Sequence, residues 1–423
     1  MPLRRRERMR RRLQAFANWL TARRIRAQAI VLAICFWTVA PIDFATPGML
    51  DRAGNIKFQD FLPFYVSARQ ISQGRAAELF NPSVAARESN TVLDRTNPVH
   101  LTAAYGPQVF LLFVPFNKLP FLAAATVWVG LSAAIYFSCC YFVWKACPNL
   151  RRHGPLLALS ALAYPPFFHL VVRGQISSLV LLCFVAAYFG FRGGHDFLAG
   201  LALGSLVLKP QFLIGLVAVM LAARSWRCLT GIVVAIGAQL GFAWAYFGPA
   251  VMQAYGATLW HVRQLSAETE PGIAAIQMHS LRAFWSLLVP WPGVALGLYV
   301  LCCVMIVALA VQTWRSGGPI ALRFSALVLA AVLVNPHLFV YDLLVLAPAF
   351  IVLVEWALEF GAREASATVL VMVYFSCMLP LIGPLSRWTR LQLSVLALAG
   401  VQWLLWKIVQ GDATHKNSVP LIA

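Results

Sequence analysis

The chain has 423 residues, of which 60% are hydrophobic and only 12% charged, and a formal net charge of +19. A soluble chain of this size carries about 25% charged residues, so a soluble globular protein is excluded and a polytopic membrane protein is expected. No DNA- or RNA-binding module accompanies the positive charge, so no nucleic-acid partner is expected.

In lipid, only helices or closed barrels satisfy the backbone. The apolar runs here are continuous over about 15 to 25 residues and do not alternate, which predicts helices. Residues 1–26 hold RRRERMRRR and ARRIR, a basic cytoplasmic segment by the positive-inside rule. The first span is expected over Ala27–Phe44. It is followed by no convincing small-residue cleavage site, so it does not read as a signal peptide. A single transmembrane domain is expected over 27–410, with outer loops at about 45–104 and 248–290 and a short cytoplasmic tail at 411–423.

In the first outer loop, Leu62–Leu79 has helical spacing and mixed polarity, which predicts a helix lying in the interface plane, ended or broken at Gly74. Tyr105-Gly106-Pro107 opens an apolar piece to Phe116 that is too short to cross. Spans are then expected at about Phe121–Trp144, Pro155–Val172 and Ile176–Phe191, the last two joined by a tight outer turn at Arg173-Gly174-Gln175. Phe197–Leu208 and Gln211–Ala223 are each about a dozen residues, under about 20 Å, and flank Lys209-Pro210. One long helix kinked at Pro210 would leave a lysine in mid-membrane, at roughly 2.5–3.5 kcal/mol. Two short helices meeting at an outer turn avoid that cost, and this reading is adopted. Further spans are expected at about Thr230–Phe247, Gly293–Trp314, Ile320–Val334, Leu338–Leu358, Ala367–Ile382 and Leu391–Val409, giving about twelve. Most of the cysteines lie within these runs with no metal-ligand spacing, and they read as small apolar residues.

This topology puts Asp60, Tyr105, Arg173, Gln175, Lys209, His261 and His337 on one face, the outer one, which suggests a single site there. Asp60 suits a general base; equally, Asp before Phe61-Leu62-Pro63 suits a helix N-cap. Asp43 and Asp51 lie near the same surface and are rivals. Lys209 could pair with a phosphate at the interface or snorkel from a helix end. Arg173 and Gln175 could donate to the same anion or form an ordinary turn. His337 and Tyr341 are four apart, which on a helix puts them on one face; His337 could donate to a phosphate oxygen or stand exposed at a helix start. Tyr105 could pack on a sugar ring or anchor the interface. No HExxH or HxxxH pattern is present, so no metal site is expected.

Several motifs come in a characteristic order: Asp60 ahead of Phe61, Tyr65 and Gly74; Tyr105-Gly106-Pro107; Arg173-Gly174-Gln175; Leu208-Lys209-Pro210; and Asn335-Pro336-His337 through Tyr341-Asp342. In this the chain resembles bacterial glycosyltransferase family 87, the polyprenol-phosphate-mannose-dependent mannosyltransferases of GT-C fold. The resemblance implies an all-α GT-C fold and a polyprenyl-phosphate sugar as donor. It implies inverting, metal-independent transfer of a hexose, mannose by default, with no cofactor. The acceptor would be a lipid or glycan, and the reaction would run at the outer face of the inner membrane. By the same resemblance Asp60 would be the base, and Lys209 and His337 would lie near the donor phosphate; the residue readings above add Arg173 to that phosphate and Tyr105, Gln175 and Tyr341 to the expected substrate contacts. The competing class is a transporter or lipid flippase, which would show repeated halves with broken helices at the midplane; no such repeat is visible.

Overall fold

The computed structural model describes residues 11, 14–94, 105–268, 276–361 and 364–417. Among them the regular structure is helical, with isolated β-bridges at Leu50–Ile56 and Met278–Phe339. Seven helices are long and apolar enough to cross a membrane, or eight if the bent pair Pro148–Leu162 and Pro165–Arg173 is one span. The expected count of about twelve is reached only with four shorter apolar helices, Ser177–Arg192, Asp196–Leu208, Pro210–Ala222 and Ile320–Leu333. The expected third span is the bent one, turning 47° at Tyr164-Pro165-Pro166. Tandem prolines remove two backbone donors and push Tyr164 into the extended region.

Hydrogen bonds fix which helix ends share a face. Arg192 donates to the carbonyl of Ala146, Arg315 to that of Ala222, and the backbone N–H of Leu150 to Glu355. These ends, together with Ala22, form a basic face. The ends at Phe44, Gly174, Lys209 and Asn335 lie opposite, each one span or half-hairpin away.

The Lys209 region is two short helices, as expected. Ser205–Leu208 and Pro210–Phe212 are 3₁₀ turns either side of Lys209. Contacts of the helix Asp196–Gly204 show the direction of the chain. A Cβ at Gly200 would overlap the carbonyl oxygen of Cys228, and one at Gly204 that of Ile232. Contacts that climb together mean parallel helices, so Leu213–Ala222 between them runs back down. Glycines at 200, 204 and 231 permit this backbone-to-backbone approach, the small-residue packing typical of membrane helices.

The two most enclosed helices, Ile320–Leu333 and Val340–Glu359, sit at the centre of the bundle, and nearly all their side chains are buried. Elsewhere the structure refines the sequence reading. Leu62–Leu79 is a helix only to Ser72; Gly74, at φ 72°, turns the chain into a short 3₁₀ piece, Ala76–Glu78. Its residues Leu62, Phe64, Tyr65, Val66, Ala68 and Gln70 are all buried, so it packs inside the protein and not along a wet interface. The stretch read as a second outer loop is largely helical: the Trp226–Glu268 helix continues through a kink at Gly248-Pro249, and Leu281–Leu288 follows. The last helix runs on to Asn417, into the stretch read as a tail.

Candidate active site

The Arg173-Gly174-Gln175 turn is the point about which the site is built. The helix Pro165–Arg173 ends because Gly174 takes a left-handed conformation, φ 71°, and the N–H groups of Gly174 and Gln175 fold back on the carbonyl of Leu170. A Cβ at Gly174 would stand 3.0 Å from Cβ of Phe61 and 3.3 Å from Cβ of Phe58, so glycine also permits the close approach of the first loop. The Asp60 N–H donates to the Arg173 carbonyl at 3.0 Å and holds that approach, while Trp128 Nε1, from the Phe121–Lys145 helix, donates to the Gly174 carbonyl at 3.1 Å and fixes the turn from the other side. Phe58, just before Asp60, is itself left-handed at φ 52°. For a bulky residue this costs about 1–2 kcal/mol, and such strain persists where the surroundings over-determine it.

Asp60 does not cap the helix that follows. The N-cap is Phe61, with no side-chain capping bond. The half-buried carboxylate instead accepts from Gln175 Nε2 at 3.3 Å. Burial raises its pKa above the ordinary carboxylate value; Arg173, the Gln175 bond and Lys209 oppose this, and Asp342 adds to it. Asp60 therefore lies within electrostatic reach of Arg173, Lys209 and Asp342. Of its rivals, Asp51 Oδ1 accepts the Asn55 N–H at 2.7 Å, and Asp43 stands at the end of the first span, its backbone carbonyl accepting from the Arg52 N–H.

Lys209 is 2% exposed and forms an ion pair with Asp342, also 2% exposed, at 2.7 Å. Ser177 closes the triangle, accepting from Lys209 Nζ at 3.1 Å and donating to Asp342 Oδ1 at 2.7 Å. Lys209 Nζ also lies 5.1 Å from the centre of the Tyr341 ring. Asp342 Oδ2 accepts the Phe339 N–H at 3.4 Å, so one carboxylate both neutralises the lysine and starts the central helix. Neither Ser177 nor the ionic role of Asp342 was foreseen from the sequence. The signal that could have found them is physical: a lysine set between two apolar runs, if buried, needs a carboxylate partner.

The expected shared helix face of His337 and Tyr341 is corrected. Pro336 and the bond from His337 N–H to Asn335 Oδ1, at 2.9 Å, make a turn, and helical structure begins only at Val340. His337 is exposed and reaches Tyr341 indirectly, its ring edge-on to Phe339 at 4.9 Å and Phe339 stacked on Tyr341 at 5.5 Å. Tyr105 packs against Phe64 at 4.7 Å. Burial raises its phenol pKa, opposed by Lys209 and by a hydrogen bond with Gln175. Arg173 is half-buried, and its guanidinium donates to Gln59 Oε1 at 3.4 Å. The side chain of His261 lies outside the described part of the structure.

Six of the seven site residues named from sequence, Asp60, Tyr105, Arg173, Gln175, Lys209 and Tyr341, thus interact with one another directly or through a single neighbour. Around them Ser178 Oγ, Asn335 Nδ2 and the amide of Gln108 are buried with no protein partner; buried polar groups of this kind are usually satisfied by something. Chemically the arrangement offers a carboxylate of raised proton affinity, two cations and aromatic faces. Among the described residues no three His, Cys, Asp or Glu side chains converge as a metal-ligand set.

A family model described as glycosyltransferase family 87 matches residues 103–336. The match takes in Tyr105, Arg173, Gln175, Ser177 and Lys209 and ends beside His337; Asp60 and Asp342 lie outside it. No curated protein and no solved structure matches the chain.

Proposed function

The chain belongs to glycosyltransferase family 87, and from that premise we propose that it moves a hexose, mannose by default, from a polyprenyl-phosphate donor to a lipid or glycan acceptor by single displacement. Membership of a glycosyltransferase family, on a GT-C-like all-α membrane fold, sets the transporter reading aside. In the proposed step Asp60 takes the proton of the acceptor hydroxyl while that oxygen attacks the anomeric carbon. The bond from the anomeric carbon to the phosphate oxygen breaks, and polyprenyl phosphate leaves with the electron pair. Configuration inverts.

What supports the reading most is the state of Asp60. It is a carboxylate that caps no helix, is held by Gln175 and has its proton affinity raised by burial. Arg173 lies beside it, and the described hydrogen bond of its guanidinium is to a neutral amide, so its fork can still meet a phosphate. Lys209 spends two of its three N–H groups on Asp342 and Ser177. In this reading it acts on the leaving phosphate through the third, or through its field in a site partly closed to water. His337 would complete the phosphate contacts from the exposed turn, and Tyr105, Gln175 and Tyr341 would line the sugar. By the positive-inside rule the basic face is cytoplasmic, so the site would open on the periplasmic side of the inner membrane.

Membranes holding the wild-type chain, given radiolabelled polyprenyl-phosphate mannose, should yield a labelled glycolipid or glycan, and Asp60→Asn membranes should not. Near-normal transfer by the variant would remove Asp60 as the base. Absence of product from the wild type, with other polyprenyl-phosphate hexoses also inert, would remove the donor class.

A further inference from the structure

We propose that the basic face carries a binding site for an anionic phospholipid. The site lies between the Ala22–Phe44 helix and the helices Gly154–Leu162, Leu346–Glu359 and Glu364–Met378. A cavity of about 460 Å³ opens there, with a wall almost wholly apolar, including Ile25, Leu32, Leu157, Phe350 and Leu370. It begins at Leu20, His153 and Leu358 on the basic face and ends at Tyr164, Ala347 and Met378. From Leu358 to Ala347 is about 16 Å along a helix, close to one leaflet of a hydrocarbon core about 30 Å thick.

The first span forms one wall of the cavity, through Ile25, Gln28, Ala29 and Leu32. Higher up it packs through Ala29 and Ala33, the stacked pair Phe36–Phe168 at 4.6 Å, and Trp37 Nε1 bonded to the Leu162 carbonyl at 3.1 Å. Gln28 reaches across, accepting from the Tyr374 hydroxyl at 2.8 Å and donating to Met378 Sδ at 3.2 Å. An apolar gap of this size facing lipid fills with hydrocarbon, since neither water nor a void is favoured against such walls.

Charge selects the head group. Arg23 and Arg24 line a second hollow on the neighbouring side of the same helical turns, together with Thr21 and Ala27. Arg24 is steadied by the Trp19 carbonyl at 2.9 Å and by the Trp19 ring at 4.9 Å. Arg152 donates to His153 Nε2, at the cavity mouth, at 3.2 Å. Among the described residues none of Arg23, Arg24, Arg26 or Arg152 has a carboxylate in ion-pair reach; the ion pairs involve Arg75 and Lys209. Unneutralised cations around an acyl-sized slot fit a phosphate-bearing, net-negative lipid. A head group held by these arginines would lie about 35 Å, the length of the first span, from Asp60, so it would not be the sugar-phosphate of a donor poised for transfer.

The full chain, purified in detergent, is offered equal amounts of phosphatidylglycerol and phosphatidylcholine, and retained lipid is counted by native mass spectrometry. Phosphatidylglycerol should be retained in preference. Arg23→Gln and Arg24→Gln should each lower its retention roughly fivefold and leave phosphatidylcholine unchanged. Ser160→Trp, which fills the slot, should lower retention in a monodisperse preparation; if that variant does not fold, the two exposed arginines decide. Equal retention of both lipids, indifference to the arginine changes, or displacement of phosphatidylglycerol by polyprenyl phosphate would each overturn the proposal.

Discussion

Lys209→Met is the most informative single change. Lys209 and Asp342 are each 2% exposed and 2.7 Å apart, so removing the ammonium leaves a carboxylate buried with only Ser177 and the Phe339 N–H as partners. Breaking a buried pair from one side costs about 3–5 kcal/mol, whereas replacing both partners by apolar groups of similar volume is often near neutral. Lys209→Met should therefore lose about 3–5 kcal/mol, and the double variant Lys209→Met/Asp342→Leu should recover most of it. The coupling between the two positions would then exceed about 2 kcal/mol. Unfolding in detergent, followed by tryptophan fluorescence across the four proteins of the cycle, measures this. A single variant within about 0.5 kcal/mol of wild type, the range of ordinary surface changes, or a double variant whose losses simply add, would refute the structural role. Transfer activity then separates structure from chemistry: if Lys209 also serves the leaving phosphate, the double variant regains its fold and stays inactive.

Asp60→Asn should reduce transfer by about 10² to 10⁴-fold. Because burial raises the folded pKa of Asp60, its ionisation weakens the fold as pH rises through that value. The asparagine variant should accordingly melt no lower than wild type at neutral pH, and any advantage should vanish in acid; a clear loss of stability would make Asp60 structural. In the wild-type enzyme the acid limb of the transfer rate should lie above the ordinary carboxylate pKa, since the base must be ionised. A limb at or below that value would contradict the burial effect. Gly174→Ala puts a Cβ 3.0 Å from Phe61 in a left-handed residue, costing at least about 1–2 kcal/mol and loosening the Asp60–Arg173 contact; transfer should fall more than stability does, and unchanged kinetics would count against the turn as the site's hinge. Gly231→Val, which would drive a side chain into the Phe197 carbonyl, should abolish folded protein on size-exclusion chromatography.

The helical membrane class, the break at Lys209 and the gathering of polar residues on one face were all legible because each follows from the cost of polar groups in lipid. The buried lysine argued for a turn before any contact was known. Its partner was harder to find: Asp342 lies 133 residues away, and nothing in spacing links them. His337 misled for a local reason. The four-residue interval to Tyr341 implies a shared face only if the helix has already begun, and Pro336 and the capping carboxylate of Asp342 delay it to Val340. The bent span at Pro165-Pro166 was hidden by an unbroken apolar run, which hydropathy reads as one piece although the tandem prolines mark its break.

The glycine contacts of the Lys209 hairpin also determine how high that residue rides in the bilayer. Where two helices meet through side chains, small slips can be absorbed by rotamer changes; where they meet backbone against backbone, at Gly200, Gly204 and Gly231, the register is notched. One added residue between the notch and the tip would lift Lys209 by about 1.5 Å and swing it by about 100°, away from Ser177. The hairpin thus serves as a depth gauge, fixing the elevation of its tip.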